Sequence, residues 1–171
     1  MENGVERRSF EFRAAGDGTT VEGVVVPYNS PTRVADFTER FLPGSLTFGD
    51  VIANVQHQRS RPLARTGGGG LTLSDSDSEL RARIELPDTA DGRDVAELVK
   101  RGVMRGLSAE FRVKKDRWSG NERTIESAVL SGLAVVDEGA YAGATLAEVR
   151  ENAIGVIERS APRRKTLWPF L

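Results

Sequence analysis

Residues 106–113 read GLSAEFRV, and residues 123–136 read RTIESAVLSGLAVV. In the first stretch Leu107, Ala109, Phe111 and Val113 alternate with Ser108, Glu110 and Arg112, the two-residue period that sends successive side chains to opposite faces of a strand. The second ends in Leu133, Ala134, Val135 and Val136, a continuous apolar run that marks a strand covered on both faces and central in its sheet. Between the two, RWSGNE at 117–122 supplies a turn. A sheet is therefore the organising element, and Ser108 sits on the polar side of one of its strands.

Working outward, SFEFRA at 9–14 and TVEGVVVPY at 20–28 flank Gly16-Asp17-Gly18 and predict a hairpin. After Asn29-Ser30-Pro31 the chain reads as irregular, with a turn at Phe41-Leu42-Pro43-Gly44. DVIANVQ at 50–56 then returns to an apolar run that leaves His57 at a strand end. The glycines at 67–70 predict a loop, followed by a second strand pair in LTLS and LRARIELP. Residues 88–101 change to a helical period through Val95, Leu98 and Val99, with Asp88 or Thr89 as cap and Gly102 as stop. Leu146, Val149, Ala153, Val156 and Ile157 form a second helical stripe over 145–158. The expected fold is α+β, a β-rich barrel of mostly antiparallel strands with two principal helices. It occupies one domain, residues 1–160, with a basic and aromatic tail at 161–171 that is poor at helix or strand.

Composition narrows the function. The chain has 171 residues, 39% hydrophobic and 29% charged, the range of a soluble domain with a real core. A formal charge of −1 offers no general attraction to phosphate backbones, so nucleic acid is not the expected partner. With no cysteine there is no thiolate nucleophile and no disulfide framework, which suits a reducing cytoplasm. No apolar run reaches the roughly 20 residues that span a bilayer, and MENGVERRSFEF is not a signal peptide, so no membrane association is expected.

His57 is the only histidine, so a mechanism that moves a proton through imidazole must use it. A lone histidine at a strand end is more often structural or merely exposed, and Ser108 lacks the G-x-S-x-G elbow of the α/β-hydrolases. One histidine and no cysteine make a poor zinc site. The acidic run Asp75-Ser76-Asp77-Ser78-Glu79 lacks the internal glycine of a calcium loop, and the glycines at 67–70 lack the GK[ST] ending of a phosphate loop. No cofactor and no metal is expected.

Five stretches in order, VEGVVVPYNS, ERFLPGSL, NVQHQRSRPLART, LPDTADGRDVAELVKRGVMRGLSAEFRV and AVLSGLAVVDEGAYAGA, resemble the prohead maturation proteases of tailed bacteriophages over about residues 20–142. That resemblance implies an assemblin-like fold and a serine endopeptidase with His57 as base and Ser108 as nucleophile. It also implies cleavage of scaffold segments and of the major capsid protein inside the assembling prohead in the host cytoplasm, self-processing, and a homodimer. Relatives commonly carry Glu in the late strand, in an L-x-E-x-S context, to orient the histidine. Gly132 stands at that position here, with Asp137, Glu138, Glu126 and Ser131 as substitutes to weigh. A chain without that third member is alternatively a catalytically weakened assembly or scaffold factor.

Overall fold

Alternating residues with opposite demands build the sheet, and they do so over most of the chain. The computed structural model describes residues 4–15, 18–34 and 36–137. These form ten strands and one helix in the order β1 (Val5–Ala15), β2 (Thr20–Pro27), β3 (Thr32–Val34), β4 (Phe37–Phe41), β5 (Leu46–Val55), β6 (Gln58–Arg65), β7 (Leu71–Asp75), β8 (Glu79–Glu85), α1 (Ala90–Lys100), β9 (Gly106–Ser119) and β10 (Glu122–Val136). The expected helix over 145–158 and the tail at 161–171 lie outside the described residues.

β10 is the axis. It pairs antiparallel with β9 along its length, and its other edge is taken in succession by β4 and then β5, both parallel to it. β9 pairs in turn with β1, which crosses to β2, then β8 and β7. Flanked on both edges, the end of β10 is buried on both faces, and Leu133, Ala134 and Val135 are fully covered. That is the physical reason its sequence is continuously apolar.

The pairing is mostly antiparallel, as expected, but the ladder does not close into the expected barrel. β6 hangs from β5, and β7 ends the path on the other side. An isolated bridge, Arg65 to Gly70, joins them. The connecting glycines explain why: Gly69 and Gly70 take φ of 100° and 81°, left-handed backbone that cannot extend a ladder. The stretch after Asn29, read as irregular, holds β3 and β4. In β4 the buried positions are Phe37, Glu39 and Phe41, so a charged residue on the inward face hides the two-residue period. β6, QRSRPLAR, is mostly exposed and gives no apolar pattern at all.

α1 starts where the Thr89 side chain accepts from the Gly92 amide at 3.1 Å. Val95 and Val99 on its inward stripe join the main core with Leu80, Ile84 and Leu107. Gly92 is obligatory there, because a Cβ would lie 1.9 Å from the Pro87 carbonyl oxygen. The helix anchors β6 through Arg61, whose Nε donates to Asp91 Oδ1 at 2.7 Å.

Candidate active site

Two strands and a turn deliver the polar side chains that meet on the sheet face opposite the Leu107, Ala109 and Phe111 row. Ser108 and Glu110, two apart in β9, share that face by strand geometry. Across the ladder Ser108 is opposite Ala134 and Glu110 is opposite Gly132. β1 lies on the other edge of β9 and places Arg7 opposite Glu110.

His57 comes from the turn between β5 and β6. Gln56 and His57 have φ of 51° and 59°, and Val55 pairs with Gln58, which defines a two-residue hairpin with both central residues left-handed. Such turns ordinarily use Asn-Gly; a Gln-His pair in this conformation is strained. The Gln56 amide donates to the Val135 carbonyl at 3.0 Å and ties the turn to β10. The strained turn carries the imidazole over β9, where its side chain is only 8% exposed.

The two ring nitrogens are both engaged. His57 Nε2 lies 2.8 Å from Ser108 Oγ, and Nδ1 lies 2.6 Å from Glu110 Oε1. The Glu110 carboxyl is held below its ordinary range, first by the hydrogen bond from His57 and further by the charge of Arg7, against the opposing effect of burial. An ionised carboxylate can only accept, so Nδ1 carries the hydrogen, and in the neutral ring Nε2 then has its lone pair for the Ser108 hydroxyl. Arg7 Nε also donates to Glu110 Oε1, at 3.1 Å. Ser108 has no exposed surface.

The structure thus brings His57 and Ser108 together, as their residue types require for proton transfer. It places beside them a third residue that sequence reading missed. None of the substitutes weighed for Gly132 and described here reaches the imidazole: Glu126 pairs with Lys115 at 2.8 Å, Ser131 Oγ donates to the Glu110 carbonyl at 3.1 Å, and Asp137 is exposed beyond the end of β10. Glu138 lies outside the described residues. The signal for Glu110 was its place two residues after Ser108 on one polar face.

Gly132 is part of the same arrangement. A Cβ there would come within 2.9 Å of Glu110 Oε2, so the missing side chain at 132 is the space that the Glu110 carboxylate uses from the neighbouring strand. The carboxylate expected on β10 is supplied across the ladder by β9. Beside it, a cleft of about 400 Å³ opens between β5, β6 and β10.

Among the described residues no helix is long and apolar enough to cross a membrane. No curated protein and no solved structure matches the chain. The family model of the caudovirus prohead serine proteases matches residues 5–158, which takes in every residue of the Ser108, His57 and Glu110 cluster. With nine-tenths of its length matched, the chain belongs to the caudovirus prohead serine protease family, whose members have a proteolytic role in phage maturation.

Proposed function

We propose that this chain is a serine endopeptidase in which Ser108 is the nucleophile, His57 the base and Glu110 the group that orients and stabilises the imidazole. The observation that carries the reading is the hydrogen-bonded chain from Ser108 Oγ through both His57 nitrogens to Glu110, at 2.8 and 2.6 Å. His57 Nε2 takes the Ser108 proton as Oγ forms a bond to the scissile carbonyl carbon. The imidazolium, held by the Glu110 carboxylate, returns that proton to the leaving nitrogen as the C–N bond breaks. Water then repeats the sequence on the acyl-enzyme and frees Ser108. Backbone N–H groups aimed at the developing oxyanion complete such a site.

Substrates in this reading are scaffold segments, the major capsid protein and the chain itself, inside the assembling prohead, with a second copy of the chain as a dimer partner. Ser108 is covered, so attack needs a movement, available to the isolated chain, that uncovers the hydroxyl. The alternative is a catalytically weakened or inactive assembly or scaffold factor; the Glu110 carboxylate at 2.6 Å from His57 Nδ1 favours the peptidase reading over it. Co-expression with the shell and scaffold proteins tests the proposal. The wild type should shorten them, and Ser108→Ala should leave them full length while remaining folded. Equal processing by the variant would remove Ser108 from the chemistry.

A further inference from the structure

The cleft beside Glu110 contains a buried polar group with nothing to bind. Asn54 is 4% exposed, and its Oδ1 has no hydrogen-bond partner among the described residues. Leaving such an acceptor unmet is destabilising, and a merely structural position would shed that cost by becoming Leu. Asn54 is opposite Ala134, which is itself opposite Ser108, so its amide lies in the serine's own row on the same sheet face. Ile52, Pro62 and Ala64 supply apolar wall to the cleft, and Gly132 leaves it open toward Glu110.

The charges around the cleft are mostly spent. Asp50 pairs with Arg65 at 3.1 Å, and Glu110 is engaged by His57 and Arg7. Arg59, which lines the same cleft, makes no hydrogen bond or ion pair among the described residues. The cleft therefore offers a buried amide and one free guanidinium along an apolar wall. A carboxylate would suit Arg59 but bring a second anion to Glu110 and leave the Asn54 acceptor unmet. An ammonium would meet that acceptor and face Arg59. A carboxamide answers both: its N–H donates to Asn54 Oδ1 and its C=O accepts from Arg59. With the Asn54 side chain turned the other way, the carboxamide C=O would accept from Asn54 Nδ2 as well as from Arg59, since a carbonyl oxygen has two lone pairs.

Resting on the peptidase reading above, we propose that this cleft is the specificity subsite and that it selects a substrate glutamine or asparagine next to the scissile bond. Peptide libraries varied around the cleaved bond, presented to the full chain, test it. Gln or Asn at one position should raise kcat/KM by about tenfold or more over Ala, Leu, Glu or Lys, because a site built to bond a polar group rejects side chains that leave it unpaired. Asn54→Leu and the surface variant Arg59→Ala should each erode that preference, and Asn54→Leu should keep or raise the melting temperature. Absence of a carboxamide preference, a preference for Glu or Lys, or a preference untouched by both variants overturns the inference. A fluorophosphonate adduct on Ser108 of the wild type separates the two failures: labelling without carboxamide preference defeats the subsite alone, whereas neither labelling nor cleavage defeats the peptidase reading with it.

Discussion

Two clusters of buried charge lie on opposite faces of the same strands. Arg7 turns to the Ser108 face and meets Glu110; Arg8, one residue on, turns the other way, over the Phe111 ring at 5.3 Å, and meets Glu39. On that second face every charge is answered. Arg8 holds Glu39 through two bonds of 2.8 and 2.9 Å and Glu6 through a third, and Arg123 binds Glu6, Glu39 and Asp116 at 2.7–3.0 Å. Among the described residues the first face is unsaturated: it keeps a covered hydroxyl, a histidine on a strained turn, and an Asn54 oxygen and an Arg59 guanidinium that have no partner there. A closed network ties β1, β4, β9 and β10 together. An open one is poised to bind something else.

The contrast breaks first at Ser108 and His57. Ser108→Ala or His57→Ala should each lower kcat/KM by three orders of magnitude or more (an estimate of ~10³–10⁶) with little change in melting temperature, and the double variant should be scarcely slower than either. Additive losses in steady-state peptide cleavage would mean that the two do not act as one unit.

Glu110→Ala should cost about 10²–10⁴ in kcat by removing the acceptor at Nδ1. The ladder offers a sharper version. Adding Gly132→Glu to Glu110→Ala returns a carboxylate from the facing strand and should recover part of the lost rate, whereas Gly132→Glu in the wild type should crowd Glu110 and slow the enzyme. A double variant no faster than Glu110→Ala, measured under the same conditions, would show that position 132 cannot orient His57.

On the closed face the ranking inverts. Arg123→Ala leaves two largely buried carboxylates, Glu6 and Glu39, to the single guanidinium of Arg8, so stability should fall by roughly 3–5 kcal/mol, a drop of order 10 °C in Tm. Activity per folded molecule, titrated by active-site labelling, should be retained.

A smaller effect concerns acid. Burial alone would raise the Glu6 pKa, but hydrogen bonds and charge from Arg123 and Arg8 outweigh it and hold the group below its ordinary value of 4.5. Its contribution to stability is therefore complete above that value and is lost as pH falls through the lower folded one. Denaturant unfolding followed below about pH 4.5 should show this loss in the wild type and a shallower one in Glu6→Gln. Equal slopes would mean that the network is not titrating there.

The least effect belongs to the turn. Gln56→Asn places a residue tolerant of left-handed backbone at φ 51° and should recover a fraction of the ~1–3 kcal/mol such positions store, raising Tm by a degree or two. A fall in Tm on calorimetry would mean that the Gln56 side chain contributes more than its backbone strain costs.

The same contrast explains what the sequence made legible. Where one strand face is apolar and the other is not, as in β9, the two-residue period places both Ser108 and the core. The helix at Ala90–Lys100 is equally plain from its cap and stripe. β4 was hidden because the closed network puts Glu39 on the inward face, and a buried charge is legible only with its partners, Arg8 and Arg123, which lie 31 and 84 residues away. The third site residue was hidden for a related reason. A carboxylate can reach one imidazole from either of two paired strands, and which strand supplies it is a matter of register. Gly132 made the late strand look deficient, whereas the carboxylate beside His57 stands on the paired strand, at Glu110. The turn at Gln56 and His57 carries no turn signal, because its conformation is imposed by the strands it joins.

The central claim, that Ser108 is a nucleophile activated through His57, is tested most directly by treating the protein with a fluorophosphonate and mapping the adduct by peptide mass spectrometry. A single adduct on Ser108 that disappears in His57→Ala is the predicted result. Modification of another serine that persists in Ser108→Ala, or no modification of the folded wild type, would contradict the account.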